Sequence, residues 1–419
     1  MPKAPTKILQ ASAAATFIAM ILISTAWAQT FTVIHPFTYD ARPSGALALD
    51  ASGRLYGTAL AGGSYPGSIW RLTQNPDGTW SSANLHVFGF VASDPGGKFP
   101  IGGVTLDSAG NLYGTAYQGG LVRESCDPQG CGLVFRLSPN ADGSCNYKVL
   151  HEFTGPDGYG PQSRLTLDAA GNLYGTTTGN GVVFKLSPNA DGTWTESTIH
   201  SFRGADGALP YAGVILDSAG NLYGTTSEGG AYNEGVVYKL TPNSDGTWTE
   251  SILWSFMGPP DGAQPTSDLM FDASGNLDGT ASQGGSLEKP CATSASPFGC
   301  GVVFQLSANP DGTWKETILH TFDGADGFGP QYGLISDSTG SLYGTTEWGG
   351  VLSDSCYFAG CGNVFKLTQS ADGWTETVLH NFSGYGQDPG PLLLDLSGGL
   401  FGTAFTGTTT HGLVFEITP

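Results

Sequence analysis

One phrase is spelled seven times along this chain. It runs L-D-x-x-G-N-L-Y-G-T, then G-G, then G-x-V-F-K-L, then N-x-D-G-T-W-T-E, then L-H-x-F. Its tyrosine position falls at Tyr56, Tyr113, Tyr174, Tyr223, Asp278, Tyr343 and Phe401, roughly 50–65 residues apart. A unit of that length, repeated over nearly the whole chain, means one supersecondary element packed on copies of itself.

Residues 211–256 show what the element is. A short β-prone run, 211–216, leads into Asp217-Ser218-Ala219-Gly220-Asn221, a tight turn capped by the aspartate. Residues 222–226 read as a second strand and 235–240 as a third, joined by a loop with Gly229-Gly230. Pro242 to Gly246 make a hairpin connection, and 247–256 read as a fourth strand carrying Trp248, Ile252, Leu253 and Phe256. No stretch has a helical period. Successive apolar residues such as Val-Val-Phe fit strands covered on both faces.

Four antiparallel strands repeated seven times predict an all-β, seven-bladed β-propeller. The chain ends support a closed ring. The last unit stops after its third strand, at 412–417, and residues 31–37 read like the end of a fourth strand. The N-terminal strand is therefore expected to complete the last blade, which removes the open edges of a linear stack. A β-solenoid, the rival architecture, needs distinct end caps, and none is visible. The expected blades are 44–88, 101–153, 162–202, 211–256, 266–322, 331–382, and 390–419 with 31–37, in a single domain spanning 29–419.

Residues 1–28 read as a signal peptide: Lys3 and Lys7, an apolar run, then Ala26-Trp27-Ala28 as a small-x-small cleavage site. That apolar run is too short for a membrane span, and no second one follows, so an exported chain, extracellular or periplasmic, is expected. The chain has 16 Lys and Arg against 36 Asp and Glu, a net charge of −20, which argues against nucleic acid as a partner. Glycine, 64 of 419 residues, would suggest disorder if it were aperiodic. Here it recurs at fixed places and reads as turn and close-packing positions.

Residues 167–176 (LDAAGNLYGT), 181–186 (GVVFKL) and 192–202 (GTWTESTIHSF) resemble the GloVer (Gloeo/Verruco-type) tandem repeat of secreted bacterial proteins. The resemblance covers essentially the whole chain after residue 28. It implies an exported β-repeat protein and no particular reaction. The D-x-x-G-N-L-Y turn is also similar, more weakly, to NHL and lactonase-type propellers.

Six of the seven histidines, His35, His86, His151, His200, His320 and His380, share one position in the fourth strand, where blade 4 has Trp254. A packing role is expected, since a ring of outer-strand positions does not converge on one ligand. Cys126–Cys131, Cys291–Cys300 and Cys356–Cys361 are expected as local disulfides in second-to-third-strand loops, with Cys145 left free. Zinc is the weaker reading, because it wants four converging ligands. The N-x-D-G turns share the start of a calcium loop but not its late glutamate, so hairpins are expected. The Asp-Gly pairs at Asp157, Asp206, Asp261 and Asp326 leave calcium open as a cofactor; no other is expected.

Residues that depart from the repeat gather in the second-to-third-strand loops. They are Glu124, Glu228, Glu234, Glu288, Glu347 and Asp354, beside Tyr117, Arg123, Tyr232, Trp348 and Tyr357. Function on a repeat scaffold tends to sit on its variable loops. The expected function is a monomeric, non-enzymatic scaffold binding a glycan, peptide or protein partner through this rim. The alternatives are an extracellular hydrolase, lyase or metal-dependent lactonase using rim carboxylates such as Glu228 and Glu347, and a purely structural envelope component. No G-x-S-x-G or H-E-x-x-H motif supports an enzyme.

Overall fold

The computed structural model describes residues 29–37, 41–61, 66–89, 96–124, 126, 128–287, 291, 298–351, 356, 360–383, 387–406 and 411–418. The expected signal peptide lies outside these residues, as do Glu288, Asp354 and Tyr357. Among the described residues the chain forms seven antiparallel blades around one axis and a separate two-stranded sheet, Gly262–Ala263 with Gln283–Gly284, and no α-helix occurs. Nor, among these residues, is any helix long and apolar enough to cross a membrane.

Blade 4 follows the expected plan, with strands Ile215–Leu216, Leu222–Thr226, Val236–Pro242 and Trp248–Ser255 hydrogen-bonded in that order from the axis outward. The innermost strand is shorter than its sequence suggests. Its first residues line the axial channel, and only its end pairs with the second strand. Blade 3 splits its inner strand into Tyr159–Pro161 and Thr166–Leu167.

The ring is closed by the N-terminus. Thr30–Pro36 pairs antiparallel with Leu413–Thr418, from Thr30 opposite Thr418 to Pro36 opposite Leu413. The register slips between Val33 and His35, and the other six blades have the same slip between their third and fourth strands. Thr30–Pro36 is therefore the fourth strand of blade 7 down to its bulge.

Two repeated features hold the blades together. The phenylalanine that ends each fourth strand packs on the third-strand aromatic of the next blade. Centroids are 5.1 Å apart for Phe153–Phe184, 4.9 Å for Phe202–Tyr238, 5.1 Å for Phe256–Phe304 and 5.2 Å for Phe322–Phe365. The series runs through both closing seams, Phe382–Phe415 at 5.4 Å and Phe37–Trp70 at 5.5 Å. Those of these rings that are fully buried each stabilise by about 1.5–3 kcal/mol. The glycine of L-Y-G-T makes room for them. A Cβ on Gly175 would lie 2.6 Å from the Phe184 ring, and one on Gly344 would lie 2.5 Å from that of Phe365. The following threonine then bonds to the next blade: Thr176 Oγ1 donates to the Ala212 carbonyl at 2.8 Å and Thr225 Oγ1 to that of Ser267 at 3.0 Å.

The three expected disulfides are present and Cys145 is free and partly buried. Three disulfides fit an oxidising extracellular or periplasmic setting.

Candidate functional site

In this topology the second-to-third-strand loops and the entries into each inner strand share one rim. At every entry, the residue before the inner-strand proline is left-handed. These are Arg42 (φ 44°), Phe99 (57°), Gly160 (66°), Leu209 (54°), Gln264 (52°), Gly329 (66°) and Asp388 (58°). Five of the seven are not glycine, and each pays roughly 1–3 kcal/mol of backbone strain. The carbonyl of this residue accepts from the backbone just past the second strand, for example from Ser227 to Leu209 at 3.1 Å and from Glu347 to Gly329 at 3.1 Å. These bonds hold the turn and set its side chains around the channel mouth.

The axial channel itself has a volume of about 760 Å³ and is lined by inner-strand residues of all seven blades. The third residue after the inner-strand proline is small in most blades, as at Ala46, Gly103, Gly213 and Gly333. Blades 3 and 5 instead place Arg164 and Asp268 there, both lining the channel. The Gly213 N–H donates to Asp268 Oδ1 at 2.6 Å. Burial raises the Asp268 carboxyl, opposed by that bond and by Arg164. Both side chains keep some surface open to the channel, so their loss of solvation is partial.

At the mouth, blades 6 and 7 bring carboxylates together. Gln331 Nε2 donates to Glu347 Oε2. Burial first, then the charge of Asp388, pushes Glu347 up to about 7, against a hydrogen bond from Trp348. Burial raises Asp388 to about 6. Tyr332 feels both carboxylates. A second feature lies near blades 2 and 3, a cleft of about 360 Å³ lined by Tyr117, Gln118, Glu124 and Tyr159, with the disulfide's Cys126 on its wall.

The expected rim residues thus divide. Tyr117 and Glu124 share the cleft, and Arg123 beside them is exposed. Glu347 and Trp348 sit at the mouth. Glu228 and Tyr232 are exposed and Glu234 is partly buried, all on blade 4. After burial, the charge that acts on Glu347 is that of Asp388. Sequence reasoning missed Asp388, Gln331, Tyr332, Tyr159, Arg164 and Asp268. Aligning the units on the inner-strand proline, rather than on the tyrosine, exposes Arg164 and Asp268 as charges in a column of small residues.

The histidines do not converge. His151, His200 and His320 each face an aspartate six residues on, at 2.9, 3.1 and 3.0 Å, in the outer seams between blades. The N-x-D-G turns are hairpins whose aspartate is occupied internally. Asp245 Oδ1 accepts from the Thr247 N–H at 2.9 Å and from its hydroxyl at 2.6 Å.

Comparison with known proteins gives a family and a fold. The profile of the Gloeobacter/Verrucomicrobia repeat matches residues 20–181, 125–290 and 177–350. No curated protein matches in sequence. Virginiamycin B lyase from Staphylococcus aureus is 14% identical over 93% of this chain and 99% of its own, with a TM-score of 0.57. An ancestral GH74 enzyme is 12% identical over 90% of this chain and 48% of its own, with a TM-score of 0.56. A gluconolactonase from Xanthomonas campestris is 14% identical over 74% of this chain and 82% of its own, at a TM-score of 0.41. At such identities the likeness is one of fold alone.

Proposed function

Since this chain belongs to the Gloeobacter/Verrucomicrobia repeat family, a family defined by its repeat, we propose that its activity lies in what departs from the repeat: an exported propeller that binds a polar ligand on its loop-bearing rim. The observation that carries this reading is the cleft of Tyr117, Tyr159 and Glu124. Two tyrosines and a carboxylate suit stacking on, and hydrogen bonding to, a sugar ring or a peptide segment. Export rests on residues 1–28 and on the disulfides, and a monomer fits a ring that closes on itself.

Screening the purified chain on glycan and peptide arrays tests the reading. Binding is expected, and Tyr117→Ala is expected to weaken it at least tenfold while Tyr232→Ala, away from the cleft, leaves it unchanged. No binding on either array, or binding indifferent to Tyr117, would remove it.

One observation favours a second reading, an enzyme. Burial raises both Glu347 and Asp388, two interacting carboxylates beside Gln331 of the channel wall. Such a pair suits one acid and one base in a hydrolase or lyase. Turnover of a polysaccharide or lactone that is abolished in Glu347→Gln would favour this reading over binding alone.

A further inference from the structure

The outer seams between blades follow one rule. In blades 2, 3 and 5 the residue six positions after the fourth-strand histidine is Asp157, Asp206 or Asp326, and the next blade offers Glu196, Glu250 or Glu376 opposite it. After His86 and His380 that position holds Ala92 and Gly386. There the next blade offers a ring instead: Tyr147 stacks on His86 at 4.0 Å and Phe31 on His380 at 3.7 Å. At these five seams, then, a glutamate is found where an aspartate already stands. Two neighbouring carboxylates repel unless a proton or a cation lies between them.

One seam goes further than the rest. His151, Asp157 and Glu196 each offer a ligand atom, and these atoms all lie within 4.8 Å of one another, the one such group among the described residues. Both carboxylates are also anchored by neighbouring threonines. Asp157 Oδ1 accepts from the Thr154 N–H and hydroxyl, both at 2.8 Å. Glu196 Oε1 accepts from the Thr198 hydroxyl at 3.3 Å. This is the outer-sphere support that orients metal-binding carboxylates. No lysine or arginine neutralises the pair: none acts on Glu196, and Lys148 donates to the Gly192 carbonyl at 2.8 Å. Elsewhere the glutamate is less well served, since Glu250 Oε1 and Glu376 Oε1 are buried without a hydrogen-bond partner.

We propose that the seam between blades 2 and 3 is a divalent-metal site, with His151, Asp157 and Glu196 as its protein ligands. One imidazole nitrogen and two carboxylates suit a borderline ion such as Zn²⁺, with water completing the shell at this half-buried depth. A hard ion such as Ca²⁺ prefers oxygen throughout and gains nothing from the imidazole. The ion takes the place of the hydrogen between His151 Nε2 and Asp157 Oδ2, and the neutral ring ligates with its own hydrogen on Nδ1. Bound there, it staples blade 2 to blade 3.

The test is calorimetric titration of Zn²⁺ into the chelator-stripped full chain. One saturable site is expected. Its affinity falls at least tenfold in Glu196→Gln and in Asp157→Asn, and is unchanged in His411→Ala. Circular dichroism checks that each variant is folded. Co²⁺ absorption on the unmutated chain needs no variant: nitrogen and oxygen ligation is expected, without thiolate charge transfer. Absence of a saturable site, an affinity indifferent to Glu196, or a thiolate band placing the ion on Cys145 would each overturn the proposal.

Discussion

Asp217 shows how much one repeated side chain does. Its Oδ1 accepts the backbone N–H of Ala219 and of Asn221, each at 2.9 Å. Its Oδ2 accepts Asn221 Nδ2 at 2.7 Å and the Tyr223 hydroxyl at 3.0 Å. The phrase D-x-x-G-N-L-Y is therefore one hydrogen-bonded object, and the tyrosine belongs to the turn as much as to the strand. Removing the carboxylate leaves those donors unpaired, so Asp217→Ala is expected to cost about 2 kcal/mol in denaturant unfolding. Blade 5 re-solves the same problem: Asp278 replaces the tyrosine and accepts from Gln305 Nε2 at 2.8 Å. Titration gives a second residue-scale expectation. Burial, then the neighbouring Asp261, raises Glu316 from 4.5 to about 9. The folded state then holds more protons than the unfolded one between those values, so this group's contribution to stability is full below pH 4.5 and fades as pH rises to about 9. Melting temperature should fall with pH across that window, and Glu316→Gln should flatten the fall. An unchanged slope would refute the assignment.

At the scale of elements, the strand carrying L-Y-G-T is the mechanical centre of each blade. Its glycine admits the neighbouring aromatic and its threonine reaches the next blade. Gly175→Ala would push a methyl to 2.6 Å from Phe184, and overpacking of this kind costs about 1–3 kcal/mol. Thr225→Val keeps the shape but orphans the Ser267 carbonyl, at about 1–3 kcal/mol. Chemical denaturation of both variants checks this, and neither should be neutral. The loop closed by Cys291–Cys300, with a sequence separation of 9, should lose about 2.5 kcal/mol when both are replaced by alanine.

For the whole molecule, most of the architecture was legible in the chain. Turn residues and strand-length apolar runs gave the blades, and the residues around His35 gave the closing strand. They did so because these choices repeat seven times and each is local. The candidate site was only half legible. Tyr117, Glu124, Glu347 and Trp348 stand out as departures in variable loops. Asp388, Arg164 and Asp268 do not, because their meaning comes from the ring, which sets distant blades face to face across one channel. The pairing of Asp157 with Glu196 was hidden for the same reason, since it crosses a seam. Everything said of the channel, its mouth and the seams presumes that the ring closes through the N-terminal strand. Hydrogen exchange followed by mass spectrometry on residues 30–37 tests that closure. Protection matching that of Leu413–Thr418 is predicted; exchange at unfolded-chain rates, with the rest of the ring protected, would contradict it.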